Sequence, residues 1–140
     1  MHNHSLHRAA AAVLVLSVLA ACKKTAPPPA QAPITVASVD LGRQIGPDNR
    51  VVQSMTTFGV NDTIYASVAT TGTASSAVLT AKWTYQTGQT VDSTTMTIAP
   101  TGPAQTEFHI MKPTPWPVGG YVLAIWLDGQ SVGQKAFEVK

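Results

Sequence analysis

Polar and apolar side chains alternate with a period of two residues along most of the chain beyond residue 33. The segment 63–70 shows this most clearly, because Ile64, Ala66 and Val68 alternate with more polar neighbours. This period is typical of a β-strand that is buried on one face and exposed on the other. The pattern predicts seven strands, which cover residues 34–41, 63–70, 77–86, 89–98, 105–111, 121–127 and 130–139.

Turn signals separate these predicted strands. Asp128-Gly129 is the strongest hairpin signal in the chain, and Thr87-Gly88 is a second plausible two-residue turn. The stretch 42–62 is ambiguous, and beyond residue 33 no run of ten or more residues shows helical periodicity. Short strands with turns every 8–12 residues predict an all-β fold, an antiparallel β-sandwich of about seven strands.

The composition is poor in charge and rich in residues that favour strands. Hydrophobic residues make up 44% of the 140 residues and charged residues only 11%, against roughly 25% charged residues in an average soluble domain. This balance argues against charge-driven disorder and against nucleic acid as a partner. Seventeen of the 18 threonines lie beyond residue 33, which agrees with a strand-rich domain there.

Residues 1–21 have the pattern of a secretory signal peptide. Residues 1–8 are polar and include the basic Arg8, and residues 9–21 form an apolar run that only Ser17 interrupts. Thirteen residues rise about 20 Å as a helix, which is less than the roughly 30 Å of a bilayer core. The run therefore predicts a cleaved signal peptide and disfavours a permanent transmembrane helix.

The residues that end this run, Leu19-Ala20-Ala21-Cys22, resemble the lipobox of bacterial lipoproteins, and Cys22 is the only cysteine in the chain. The resemblance implies cleavage between Ala21 and Cys22, a diacylglycerol thioether on Cys22 and an acylated new amino terminus. The alternative is an ordinary secretory peptide with an accidental cysteine. Lys23 stands where an aspartate retains many lipoproteins in the inner membrane, so the resemblance favours a bacterial outer-membrane anchor that faces the periplasm.

Residues 22–33 are predicted to form the lipidated cysteine and a proline-rich tether. Four of the eleven residues in K-K-T-A-P-P-P-A-Q-A-P (23–33) are proline, which favours the extended polyproline conformation at about 3.1 Å per residue. Lys23 and Lys24 would lie near lipid phosphates. A ligand for a proline-recognition domain is the alternative interpretation of the prolines. Residues 34–140 are predicted to form the β-sandwich domain.

Large side chains in residues 34–140 favour an immunoglobulin-like sandwich. Trp83 lies on the predicted third strand, where such sandwiches bury a tryptophan against the sixth strand. Tyr121 and Leu123 occupy the sixth strand where an antibody domain carries tyrosine and then cysteine, so aliphatic packing must replace the disulfide. We expect Trp83 to be buried near Leu123. The Thr87-Gly88 hairpin favours the fibronectin type III arrangement of sheets.

Two further motifs resemble those of uncharacterised bacterial secreted immunoglobulin-like modules. One is F-x-x-x-D-T-I-Y-x-S-V (58–68) followed by A-x-W-x-Y (81–85), and the other runs from W-P-x-G (116–119) through L-D-G (127–129) to F-x-V (137–139). The resemblance covers nearly all of residues 56–140. Its residues are turn formers and core positions, so it implies a fold and no catalytic role.

Candidate chemistry in the sequence is sparse. Beyond residue 21 the single histidine is His109, which has Glu107 two residues before it on the predicted strand. A metal site or a catalytic triad would need further partners, and the chain has no nucleophile-elbow motif, phosphate-binding glycine loop or His/Cys ligand spacing. The sequence therefore predicts no catalytic residue, metal or cofactor, and it disfavours an enzyme.

Two tryptophans are candidates for an interaction surface. Trp116 lies between Pro115 and Pro117, where it would either face a ligand or cap the core. Trp126 has the outward parity of its strand, so it is either exposed or covered by the segment 42–62. We expect a membrane-anchored, non-catalytic domain for protein interaction or envelope structure. The alternative is a cell-wall or glycan-binding module that uses Trp116 or Trp126.

Overall fold

Eight β-strands make up the fold in a computed structural model that describes residues 32–86 and 88–140. The predicted signal peptide, Cys22 and most of the tether lie outside the described residues. The strands are β1 (Thr35–Gly42), β2 (Thr57–Phe58), β3 (Ile64–Thr71), β4 (Ala77–Tyr85), β5 (Gln89–Ile98), β6 (Ala104–Ile110), β7 (Gly119–Leu127) and β8 (Gln130–Val139).

The strands form an immunoglobulin-like sandwich of two sheets. One sheet has three strands in the order β1-β3-β6, and the other has five in the order β2-β8-β7-β4-β5. Every pairing is antiparallel except that of β2 with β8. β4 and β5 form a hairpin within one sheet. The two sheets therefore have the fibronectin type III arrangement that the predicted turn at residues 87–88 favoured. The predicted seven strands are confirmed, and β2 is an addition.

The core lies between the sheets and contains the alternate residues of each strand. Trp83 is fully buried, and in the β4–β7 ladder it stands directly opposite Leu123, as expected. Its ring packs edge-on against Phe137 at 5.9 Å between centroids. The indole Nε1 is buried, and among the described residues it has no hydrogen-bond partner. The side chain of Trp83 is therefore held by packing alone.

Tyr121 forms the tyrosine corner that is common in immunoglobulin-like sandwiches. Its hydroxyl donates a hydrogen bond to the Pro117 carbonyl at 2.8 Å, four residues upstream. The ring stacks on Phe137 at 5.2 Å between centroids. Burial raises the pKa of Tyr121 above the usual 10.0, and the neighbouring Tyr85 raises it further. The side chain therefore stays protonated and keeps its donor well into the alkaline range.

The first part of the ambiguous segment 42–62 folds back over the outer face of the three-stranded sheet, and residues 57–58 form β2 in the other sheet. A bridge between Ile45 and Val51 closes its loop. Beneath the loop, Ser67 has the outward parity of β3 but is only 3% exposed, and its hydroxyl donates to the Asn49 carbonyl at 2.6 Å. Because β2 pairs with Glu138 and Val139, at the opposite end of β8 from the Ser131 neighbour of Trp126, this segment does not cover Trp126.

The sandwich has two distinct ends. At the first, Pro33 bridges to Thr73, and the amide of Ala74 donates to the Pro100 carbonyl at 3.0 Å. The loop 111–118 and Lys140 lie at the second end. Strand β1 begins just after Pro33 at the first end, and β8 ends just before Lys140 at the second end. Pro33 and Lys140 therefore lie at opposite ends of the sandwich. The part of the chain described here contains no helix long and apolar enough to span a membrane.

Candidate functional site

The outer face of the five-stranded sheet, turned away from the other sheet, exposes Trp126. This side chain is 37% exposed near the end of β7. In the strand ladders its direct neighbours are Thr80 on β4 and Ser131 on β8. Beyond Thr80 the row continues to Thr95 on β5, with the two threonine hydroxyls 3.0 Å apart. We call Ser131, Trp126, Thr80 and Thr95 the outer row.

Small side chains surround Trp126 on this face. Along β7, Val122 and Ala124 share its outward parity and are half-buried. Opposite Ala124, the ladder places Lys82 on β4 and Gln134 on β8. Apart from Lys82 and Gln134, the neighbours of the indole on this face are small apolar and hydroxyl side chains, and such an exposed ring is suited to stacking or to burial by a partner.

Trp116, the second candidate, is buried, with only 3% of its surface exposed. Its Nε1 donates to the Asp62 carbonyl at 2.8 Å, and its ring packs edge-on against Tyr121 at 6.1 Å between centroids. The Lys112 ammonium lies 5.4 Å from the ring centroid. These contacts favour the core-capping alternative for Trp116 over a role at the surface.

A cleft of about 590 Å³ opens beside Trp116, between the start of β5 and the end of β6. Tyr85 and Tyr121 line it, but their hydroxyls already donate to the carbonyls of Val118 and Pro117. The cleft therefore offers ring faces, with charged side chains at its margin. Sequence reasoning missed this cleft because five separate segments of the chain form it. Its lining residues with acidic or basic side chains are Asp92, His109 and Lys112.

His109 is exposed and paired with its neighbour on β6. Its Nδ1 lies 2.8 Å from Glu107 Oε1, so the two side chains contact each other as the sequence spacing suggested. Within residues 32–86 and 88–140, no group of three or more histidine, cysteine, aspartate or glutamate side chains is placed to hold a metal ion. Ala21 and Cys22 are outside these ranges.

No family model matches the chain, and no curated protein matches it. Solved structures do match its shape. An immunoglobulin-like protein from Pseudomonas aeruginosa has a TM-score of 0.55 and 15% sequence identity, and the match covers 79% of this chain and 99% of that one.

Two larger proteins contain a similar region. An alkylpurine DNA glycosylase from Pseudomonas fluorescens, bound to DNA that contains an abasic site analog, has a TM-score of 0.51 and 15% identity over 76% of this chain and 30% of its own. A β-glucosidase from Listeria innocua, in complex with glucose, has a TM-score of 0.51 and 9% identity over 79% of this chain and 16% of its own. At these identities the likeness shows the fold alone.

Proposed function

We propose that the protein is a lipid-anchored binding domain of the bacterial cell envelope, held at Cys22 in the outer membrane and facing the periplasm. Its partner is an envelope protein that contacts the outer row around Trp126. The observation that carries this proposal is the exposed indole of Trp126 on a central strand, at 37% exposure, with no cover from the segment 42–62.

The anchor is supported by the order of features along the chain. The lipobox-like residues 19–22 precede the proline-rich residues 23–33, and the first strand begins at Thr35. A stretched tether of eleven residues would reach roughly 34 Å at about 3.1 Å per residue. Two or three acyl chains would make the attachment effectively permanent, since each buried methylene contributes about 0.8 kcal/mol.

A binding role accords with how the polar groups are used. His109 is engaged with Glu107, and the indole and phenol donors beside the cleft donate to backbone carbonyls. The recurring motif residues Trp83, Trp116 and Tyr121 are core or corner residues. Trp126 is therefore the aromatic side chain in the described residues that is best placed to contact a partner.

A glycan is the second candidate ligand, and the surroundings of Trp126 favour it. Hydroxyl groups flank the indole on both sides in the outer row, from Thr80 and from Ser131. An aromatic ring with hydroxyl neighbours can stack on the apolar face of a sugar while donating hydrogen bonds at its edge. The same surface would then bind a polymer of the cell wall.

The anchor is tested by replacing Cys22 with alanine. We expect the wild-type chain to incorporate labelled palmitate and to sediment with membranes, whereas Cys22→Ala takes up no label and is either unprocessed or soluble. Fractionation with palmitate labelling measures both results. A wild-type chain that is soluble and unlabelled would contradict the lipoprotein interpretation.

The binding surface is tested by pull-down from membrane extracts with wild type and Trp126→Ala. We expect the wild type to retain an envelope protein, and Trp126→Ala to lose most of it, because truncation of a buried aromatic anchor often costs 2 kcal/mol or more of binding energy. Val52→Ala, which truncates an exposed apolar side chain on the loop that covers the other sheet, is the control for a change away from the outer row. Retention on purified peptidoglycan would favour the glycan, and equal binding by all three chains would remove Trp126 from the site.

A further inference from the structure

The strand β5 has a free hydrogen-bonding edge. In the described residues it pairs with β4 alone, and eight of its ten residues are exposed. The β4–β5 register shifts between Trp83 and Thr84, so that Val91 is an extra residue and the regular ladder of β5 covers residues 92–98. Alternate residues of this regular stretch direct their N–H and C=O groups away from β4, so about half of its seven residues present backbone donors and acceptors at the sheet edge.

The inner face of β5 is also uncovered from Asp92 to Met96, whereas Ile98 at the end of the strand packs against the core. Asp92, Thr94 and Met96 stand opposite the buried residues of β4 and so point toward the other sheet. Nevertheless all three are exposed, and Met96 is 41% exposed. The reason is that a five-stranded sheet overhangs a three-stranded one on this side, so this part of β5 has no layer beneath it.

Devices that usually protect such an edge occur only at the start of β5, as the bulge at Val91 and the inward-pointing charge of Asp92. Natural edge strands carry proline, lysine, inward charges or central bulges that prevent pairing with another strand. Beyond its bulge at Val91, β5 contains neither proline nor lysine, and Asp92 is its only charged residue. A long neutral edge that is open on both faces is a template for a further strand.

We propose that the edge of β5 pairs with β5 of a second copy of this chain. The two strands run antiparallel about a twofold axis at Thr95, which joins the two five-stranded sheets into one continuous sheet. This register uses the whole regular stretch, since residue 92 of each copy then lies opposite residue 98 of the other. The inference does not rest on the proposed function, although Thr95 belongs to both: the dimer uses the backbone edge of β5, whereas the proposed partner contacts the sheet face around Trp126.

The side chains of β5 are complementary to themselves in this register. On the outer face, Thr95 meets its own counterpart and Ser93 meets Thr97, and hydroxyl pairs of this kind stabilise adjacent strands. On the inner face, Thr94 meets Met96 and covers part of its exposed surface. The two Asp92 carboxylates lie at opposite ends of the paired stretch, so that no like charges face each other. A closed twofold contact also uses up both free edges.

Disulfide trapping tests the axis residue directly. The full chain carrying Thr95→Cys is expressed in bacteria. The cell fraction that contains this variant is then mildly oxidised and analysed on non-reducing gels. We expect most of this variant to become a covalent dimer, because paired residues of adjacent strands lie within disulfide reach. Ser93→Cys is the matched control on the same face. It would be roughly 13 Å from its own counterpart at 3.3 Å per residue, and should remain monomeric.

Coexpression supplies the second half of the test. Ser93→Cys and Thr97→Cys should each remain monomeric alone and crosslink when coexpressed. Separately, the oligomeric state of the detergent-solubilised chain is measured by analytical sedimentation. We expect the wild type to sediment as a dimer and Thr95→Lys to sediment as a monomer, since two lysines would meet at the axis. Crosslinking of all variants alike, no crosslinking at Thr95→Cys, or an adduct with a different protein would overturn the proposal.

The wild-type chain distinguishes a failure of the dimer proposal from a failure of the lipid anchor, because Cys22 is its only cysteine. If Cys22 is acylated, oxidised wild type shows no disulfide dimer. If wild type does crosslink, Cys22 has a free thiol and the lipid anchor fails, while the trapping experiment is repeated with Cys22→Ser and still decides the dimer.

Discussion

Replacing Trp83 with alanine is expected to lower the free energy of unfolding by about 3–5 kcal/mol, the usual range for a buried large aromatic. Trp83 is fully buried and packs on Phe137 and opposite Leu123, so its removal leaves a cavity between the sheets. Domains of this size typically have only about 5–15 kcal/mol of stability, so the variant should be close to unfolded or melt much earlier. Urea and thermal unfolding of the fragment 34–140 measure the loss.

Two further substitutions locate the origin of that loss. Thr97→Ala, on the exposed outer face of the same sheet, should change stability by no more than roughly 0.5 kcal/mol. Trp83→Phe should be milder than Trp83→Ala, because the indole Nε1 has no partner in the described residues and its loss breaks no hydrogen bond. If Trp83→Ala is as harmless as Thr97→Ala, the two faces of β4 have been assigned the wrong way round.

Replacing Trp116 with alanine is also expected to cost about 3–5 kcal/mol of stability. The indole fills the end of the core against Tyr121, and its N–H donates to the partly buried Asp62 carbonyl at 2.8 Å. Truncation therefore creates a cavity and leaves an acceptor unpaired. Chemical denaturation of the same fragment gives the magnitude.

Trp116→Phe separates the two contributions, since it keeps most of the ring volume and removes the N–H donor. It should cost about 1–3 kcal/mol, the usual effect of an unsatisfied buried polar group. Trp126→Ala should be less destabilising than Trp116→Ala, because Trp126 is on the exposed sheet face and its loss leaves no enclosed cavity. A fully stable Trp116→Ala that lost partner binding would instead restore Trp116 to the interaction surface.

Strand positions could be predicted because one physical rule, burial of one face, determines most of them. The alternation around Ile64 and the turn at Asp128-Gly129 located strands to within one or two residues. β2 was not predictable in this way, because two residues are too few to show a period. Thr57 and Phe58 form a strand only because β8 offers them a parallel edge. The path of residues 42–62 depends likewise on contacts with distant residues such as Ser67.

The candidate surface was predictable to a similar extent. Strand parity alone gives Trp126 its outward direction, and the ladders agree. Parity gives no direction for Trp116, which follows a strand, and its burial depends on the carbonyl of Asp62, 54 residues away along the chain. The polar residues Asp92 and Thr94, which have the inward parity of β5, were the one local sign that this strand has no layer beneath it.

The separation of Pro33 and Lys140 at opposite ends of the sandwich has a mechanical consequence. A load applied between these residues acts along β1 and β8, parallel to the strands and across their hydrogen bonds. Beside β8, the short β2 ladder is clamped by the amides of Glu138 and Lys140, which donate to the carbonyls of Thr56 and Phe58 at 2.9 Å each. These bonds must shear together and cannot unzip one at a time. A domain tethered near Pro33 and pulled from Lys140 would thus resist extension under tension.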